Sequence, residues 1–232
     1  MTALEKKPAR ARPALLSQIR AARLAKPQMG AAAPATAARR PRLVFAVDAT
    51  ASREATWRSA QQITNKMFGV IPDALDVALA VHGGGDVHTF TAFSADVGEF
   101  GKRAAAVTCR SGTTRLGDIM TRTLEAGGVR VMSYIGDAFE EDVDEVLDLA
   151  ARFRLRGIQA VMLADGADGD TLAVFEQIAE RTGGAVLDFR SGDLDLMGEL
   201  LAGVASLAIG GRRLLEAQTT AGARLLITHL AR

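Results

Sequence analysis

Residues 43–47, Leu-Val-Phe-Ala-Val, are apolar without alternation, which predicts a strand buried on both faces. Beyond it, Thr56, Ala60, Ile63 and Met67 recur at helical spacing, so Ser52 is expected to cap a helix running to about Phe68. Residues 76–82 and 87–93 each alternate polar and apolar around Gly83-Gly84-Gly85-Asp86, an antiparallel hairpin pattern. Residues 116–126 predict a helix closed by Gly127-Gly128, and residues 129–136 a strand. Val143, Val146, Leu147 and Ala150 mark another helix ending near Gly157. A strand at 158–164, a helix at 170–181, a strand at 185–189 and a helix at 193–209 follow. Strands and helices in alternation predict an α/β fold: a doubly wound, mostly parallel sheet with one antiparallel edge strand and helices on both faces.

The first strand runs directly into oxygen-bearing side chains at every second position, Asp48, Thr50 and Ser52. In open α/β sheets the crevice outside the carboxyl ends of the strands is where ligands bind. A carboxylate and two hydroxyls are hard donors, suited to Mg²⁺, Mn²⁺ or Ca²⁺ rather than to zinc or copper. The competing structural reading makes Ser52 a helix cap, Asp48 an acceptor for turn amides and Thr50 a space filler.

This spacing resembles the Asp-x-Ser-x-Ser metal-ion-dependent adhesion site of the von Willebrand factor type A domain family, with Thr50 in place of the first serine. Two further segments resemble the family in the right order. Ser111-Gly112-Thr113-Thr114-Arg115-Leu116 is similar to its Gly-Gly-Thr-x-Leu segment, and residues 129–137 to its fourth strand ending in an aspartate. Residues 178–186 are similar to the entry into its last strand, so the resemblance spans about residues 42–209. Thr113 for Gly, and Gly136-Asp137-Ala138 for Thr-Asp-Gly, depart from the family pattern. The resemblance implies a metal set of Asp48, Thr50, Ser52, Thr114 and Asp137, with Thr113 replacing Thr114 if the loop register slips by one. Thr50, Ser52 and Thr114 would coordinate directly or nearly so, and the two aspartates directly or through water. It further implies a non-enzymatic adaptor whose cation (Mg²⁺, or Mn²⁺ or Ca²⁺) takes an Asp or Glu carboxylate from a protein partner.

Charge divides the chain. The formal net charge is +1, yet residues 1–42 hold ten Lys/Arg and one Glu, leaving 18 basic against 26 acidic residues. Residues 1–41 are therefore expected to be a basic, largely disordered tail, residues 42–209 the domain, and residues 210–232 a helical extension whose Leu214, Leu215, Leu225, Leu226 and Leu230 want a partner. The tail is either a solvated arm or a contact for an anionic surface, with Leu15, Leu16, Ile19 and Leu24 able to form a short amphipathic helix there. Nucleic acid is not expected on the acidic domain itself. Because the periodic segments begin at Leu43, removing residues 1–41 is expected to leave the melting temperature nearly unchanged in a thermal scan. No secretory signal or membrane-length apolar stretch is visible, and the lone Cys109 fits a reducing compartment, so a cytoplasmic location is expected.

Other polar features read as structural. His82 and His88, bracketing the glycines, are expected on the surface. Asp165-Gly166-Ala167-Asp168-Gly169-Asp170 lacks the EF-hand spacing and reads as a loop with Asp170 capping the next helix. The acids at 140–145 read as favourable charge at a helix start, and Cys109 as a filler. Two other functions stay open. One is a metal-free scaffold of the same fold. The other is a magnesium phosphohydrolase of the haloacid dehalogenase type, with Asp48 as nucleophile; that chemistry needs an acid two residues on, where Thr50 stands.

Overall fold

The computed structural model describes residues 40–53, 74–189 and 194–231. The helix expected after Ser52 lies outside them, as do most of the N-terminal tail and Trp57. Among the described residues six strands form one sheet: β1 (Arg42–Asp48), β2 (Asp76–Gly83), β3 (Asp86–Phe90), β4 (Val129–Gly136), β5 (Gln159–Asp165) and β6 (Ala185–Phe189). Their order is β3-β2-β1-β4-β5-β6, and every pairing is parallel except β2 with β3. The expected fold class is the observed one.

Alternation along each strand decides which helices cover which face. Leu43, Phe45 and Val47 of β1 pack with Leu79, Val131 and Leu163 beneath α1 (Val97–Ala105), α5 (Leu194–Glu216) and α6 (Ala221–His229). Val44 and Ala46 face the opposite way, into a cluster with Met132, Tyr134 and Met162 under α2 (Leu116–Ala126), α3 (Val143–Arg156) and α4 (Gly169–Thr182). β1 therefore has no polar face, as its unbroken apolar run requires.

The hairpin turn is tighter than a triple glycine suggests. Gly83 belongs to β2, leaving Gly84 and Gly85 as the two turn residues, with φ of 69° and 78°. Two successive positive φ values are what a two-residue hairpin of the right twist needs. Helix α1 has no counterpart among the sequence expectations; Asp96 caps it by accepting from Glu99 N at 3.0 Å. The cap of α4 is Asp168, not Asp170: its carboxylate accepts from Thr171 N at 2.8 Å, a bond that also lowers its pKa. Asp170 sits in the first turn instead.

The C-terminal segment packs on the domain. Helix α5 breaks at Gly211 (φ 65°, ψ −163°), and α6 returns so that Leu215, Ala223, Leu226 and Leu230 enter the core beside Leu201 and Val204. Leu214 and Leu225 remain exposed. At the other end, the Pro41 carbonyl accepts from Asp76 N at 3.0 Å and Arg40 lies 3.8 Å from the Asp76 carboxylate. A truncation that spares Arg40 and Pro41 is thus the form expected to melt like the whole chain.

Candidate metal centre

The chain runs outward from β1 through β2 to β3 and returns to β4 on the other side of β1, so the strand order reverses between β1 and β4. Crevices at such switch points, outside the carboxyl ends, are where open α/β sheets bind ligands. All five expected ligands stand at or beyond that edge: Asp48 at the end of β1, Thr50 and Ser52 after it, Asp137 one residue past β4, and Thr114 just before α2.

Backbone bonds hold the β1 exit. Ala49 N donates to the His82 carbonyl of β2 and Ala49 O accepts from Arg110 N, each at 2.8 Å, while Thr50 forms a single parallel bridge with Arg110. Asp48 is buried and its Oδ1 accepts from Thr50 N at 2.8 Å, which turns the chain into a short 3-10 segment, Ala51–Arg53. Thr50 Oγ1 then lies 3.0 Å from Ser52 Oγ.

A second group forms across the β4 exit. Thr114 is 1% exposed, and its Oγ1 accepts from Glu140 N at 3.0 Å, tying the segment before α2 to the loop after β4. Thr113 is exposed, its hydroxyl facing the hairpin turn at Gly85. Glu141, expected at the start of α3, instead caps α2: its two oxygens accept from Leu116 N at 2.6 Å and Gly117 N at 2.8 Å. Asp142 caps α3. Glu141→Ala leaves two helix amides without acceptors and should cost about 1–3 kcal/mol in urea denaturation, with Glu141→Gln losing about half as much. An unchanged midpoint would show that water replaces the carboxylate without loss.

Thr50 and Ser52 are thus in direct contact, and Thr114 is bonded to the loop that follows Asp137. Among the described residues no hydrogen bond joins Thr114 or Asp137 to Thr50 or Ser52. Two observations bear on whether the set fits a cation. Adjacent oxygens around an octahedral Mg²⁺ at about 2.1 Å stand about 3 Å apart, the separation of the two hydroxyls. Asp137 Oδ1 is buried and has no hydrogen-bond partner among the described residues, an arrangement that is costly unless something else takes the charge. Among those residues no three His, Cys, Asp or Glu side chains gather into a cluster, so hydroxyls must complete any such set.

His82 departs from expectation: it is fully buried, not on the surface. It pairs in register with Asp48, its Nε2 lies 2.9 Å from Tyr134 Oη, and its ring stacks on that of Tyr134, which meets Phe175 edge-on. Gly136 is needed here, since a Cβ would run into the Tyr134 ring. Burial, with His88 adding in the same direction, pulls the His82 pKa down to about 3. The Asp48 carboxylate, 3.9 Å from Nδ1, favours the charged ring but makes no hydrogen bond to it, and burial outweighs it. His88 is half-buried and is also held below the usual range, by burial first and then by Arg110.

A cleft of about 320 Å³ opens beside Thr114, lined by Asp118, Glu140, Glu141, Asp142 and Glu145 among others. The rim beside Thr114 is therefore acidic on balance, with Arg115 as the one base lining it. Cys109 is half-buried against the core. No described helix is long and apolar enough to cross a membrane.

No sequence-family model matches the chain, and no curated protein matches it. Solved structures do. The VWA domain of SpRpn10 covers 74% of this chain and 97% of its own at 11% identity and a TM-score of 0.57. The vWF domain of the type V pili tip protein Mfa5 from Porphyromonas gingivalis covers 72% and 95% at 11% identity and a TM-score of 0.55. A von Willebrand factor type A structure from Catenulispora acidiphila, at 15% identity and a TM-score of 0.57, covers 73% of this chain but 43% of its own. Together with the strand order and the antiparallel edge strand, this likeness places the chain in the von Willebrand factor type A fold.

Proposed function

We propose that this chain is a non-enzymatic adaptor that binds a protein partner through a divalent cation, Mg²⁺ or else Mn²⁺ or Ca²⁺. Asp48, Thr50, Ser52, Thr114 and Asp137 would hold the ion. The observation that carries this reading is the pair of hydroxyl oxygens 3.0 Å apart beyond a buried aspartate at the switch point. The ion would supply a Lewis-acidic position for an outside carboxylate. The residues do the rest: Asp48 fixes the turn that presents Thr50, and Thr114 anchors the loop that carries Asp137. The acidic rim repels an isolated anion, so the partner's Asp or Glu should come flanked by Lys or Arg. A cytoplasmic location belongs to the same reading.

Capture of a partner from lysate, repeated with Mg²⁺ and with chelator, tests the adaptor. Capture that ignores the chelator would favour a metal-free scaffold instead. Position 50 separates adaptor from phosphohydrolase. Thr50→Ser keeps an oxygen donor and should keep capture, whereas Thr50→Asp adds a charge where the partner's carboxylate must approach and should weaken it. Metal-dependent hydrolysis of a simple phosphomonoester by the unaltered protein, lost in Asp48→Asn, would overturn the non-enzymatic reading.

A further inference from the structure

We infer that the outer edge of β6 is a docking groove for an extended, basic segment of a partner protein, which adds to the sheet as a seventh strand. Among the described residues β6 is the last strand of the sheet and pairs only with β5. Its free side is already in use at one point: Gly184 O accepts from Ala231 N at 2.8 Å, just after α6 ends and Leu230 turns extended. Backbone polar groups alternate sides along a strand, so the outward carbonyl of Gly184 puts those of Val186 and Asp188 outward as well. Among the described residues neither has a partner on that side.

These three alternate residues line one groove of about 480 Å³. Its other wall is a single face of α4, where Leu172, Glu176, Ala179 and Glu180 recur at helical spacing. Leu172 and Val186 form a half-buried apolar floor against the core. Glu176, Glu180 and Asp188 are exposed above it, with His229 at the far end. An added strand would place alternate apolar side chains on that floor and basic ones against the carboxylates, the usual division between main-chain affinity and side-chain selection in strand addition. A second copy of this chain is a poor occupant, because two such edges would bring the same acids face to face.

The test uses the whole chain, in excess chelator so that a cation-dependent partner site does not contribute, and a fluorescent, terminally blocked peptide of alternating Lys and Val. Its twin has Glu for Lys. The expected result is saturable binding of the Lys peptide and none of the Glu peptide at equal concentration. Amide exchange at Val186 and Asp188 should slow by about tenfold or more in the complex, as strand pairing requires. Glu176→Lys combined with Glu180→Lys reverses two exposed charges on a helix surface, so it should keep the melting temperature while weakening binding by about tenfold at low salt. No binding, equal binding of the two peptides, unchanged exchange at Val186 and Asp188, or full binding in the double variant would each overturn the inference.

Discussion

Asp48→Asn should abolish the calorimetric heat of Mg²⁺ binding while the protein stays folded. Asparagine retains an Oδ1 that can accept from Thr50 N, so the turn at the end of β1 keeps its hydrogen bond. What is lost is a unit of negative charge in a buried position. One unit charge at 4 Å from another is worth about 4 kcal/mol at an effective dielectric of 20, and a dication doubles that, so affinity should fall by at least about a thousandfold. Asp137→Asn should act in the same direction on the ion but differently on the fold. Its buried Oδ1 has no hydrogen bond among the described residues to lose, so stability in chelator should hold or rise. Thermal scans in chelator separate the two effects. Undiminished Mg²⁺ heat in Asp48→Asn would remove this residue, and with it the proposed set, from cation binding.

The parts of the fold that were legible are those where local chemistry and tertiary packing agree. Residues 43–47 have no polar side chain to expose, so they could only be a central strand, and β1 lies between β2 and β4. Gly127 and Gly128 both take positive φ after α2, as a glycine pair closing a helix suggests. Helix α1 escaped because Val97-Gly98-Glu99-Phe100-Gly101 carries two glycines in its first two turns, which weakens any helical pattern, and burial of Phe100 and Ala104 decides the matter. The misplaced cap of α4 has a similar origin. Three aspartates stand within six residues, and only the direction of the chain after β5 selects Asp168.

Of the candidate site, its place at a strand exit was legible. The spacing of Asp48, Thr50 and Ser52 marks a strand exit, and that is where the structure has them. The roles of Glu141 and His82 were not legible, because each depends on a partner far along the chain. Glu141 reaches amides 24 and 25 residues away, and His82 meets a hydroxyl 52 residues away. Nothing local to a histidine beside glycines signals burial. Its depth follows from the register that sets β2 against β1 and from Tyr134 on β4.

That buried histidine should govern stability in acid. With its pKa pulled from 6.5 to about 3, His82 is held neutral in the folded protein and takes up a proton readily only when the chain unfolds. The sign follows directly. The contribution is fully present above pH 6.5 and is lost as pH falls from there toward 3, where it amounts to about 5 kcal/mol. That is comparable with the lower end of a typical domain's stability, roughly 5–15 kcal/mol, so acid should weaken the fold strongly before pH 3 is reached. Urea midpoints between pH 7.5 and 4, taken in chelator, read the slope. The matched variant is His82→Leu with Tyr134→Phe, which removes both polar partners together and so leaves neither buried and unpaired. It should lose little at pH 7.5 and show a dependence on pH shallower by about one proton. An equal slope in the two proteins would mean that acid unfolding is driven by other groups, and that the His82–Tyr134 pair serves packing alone.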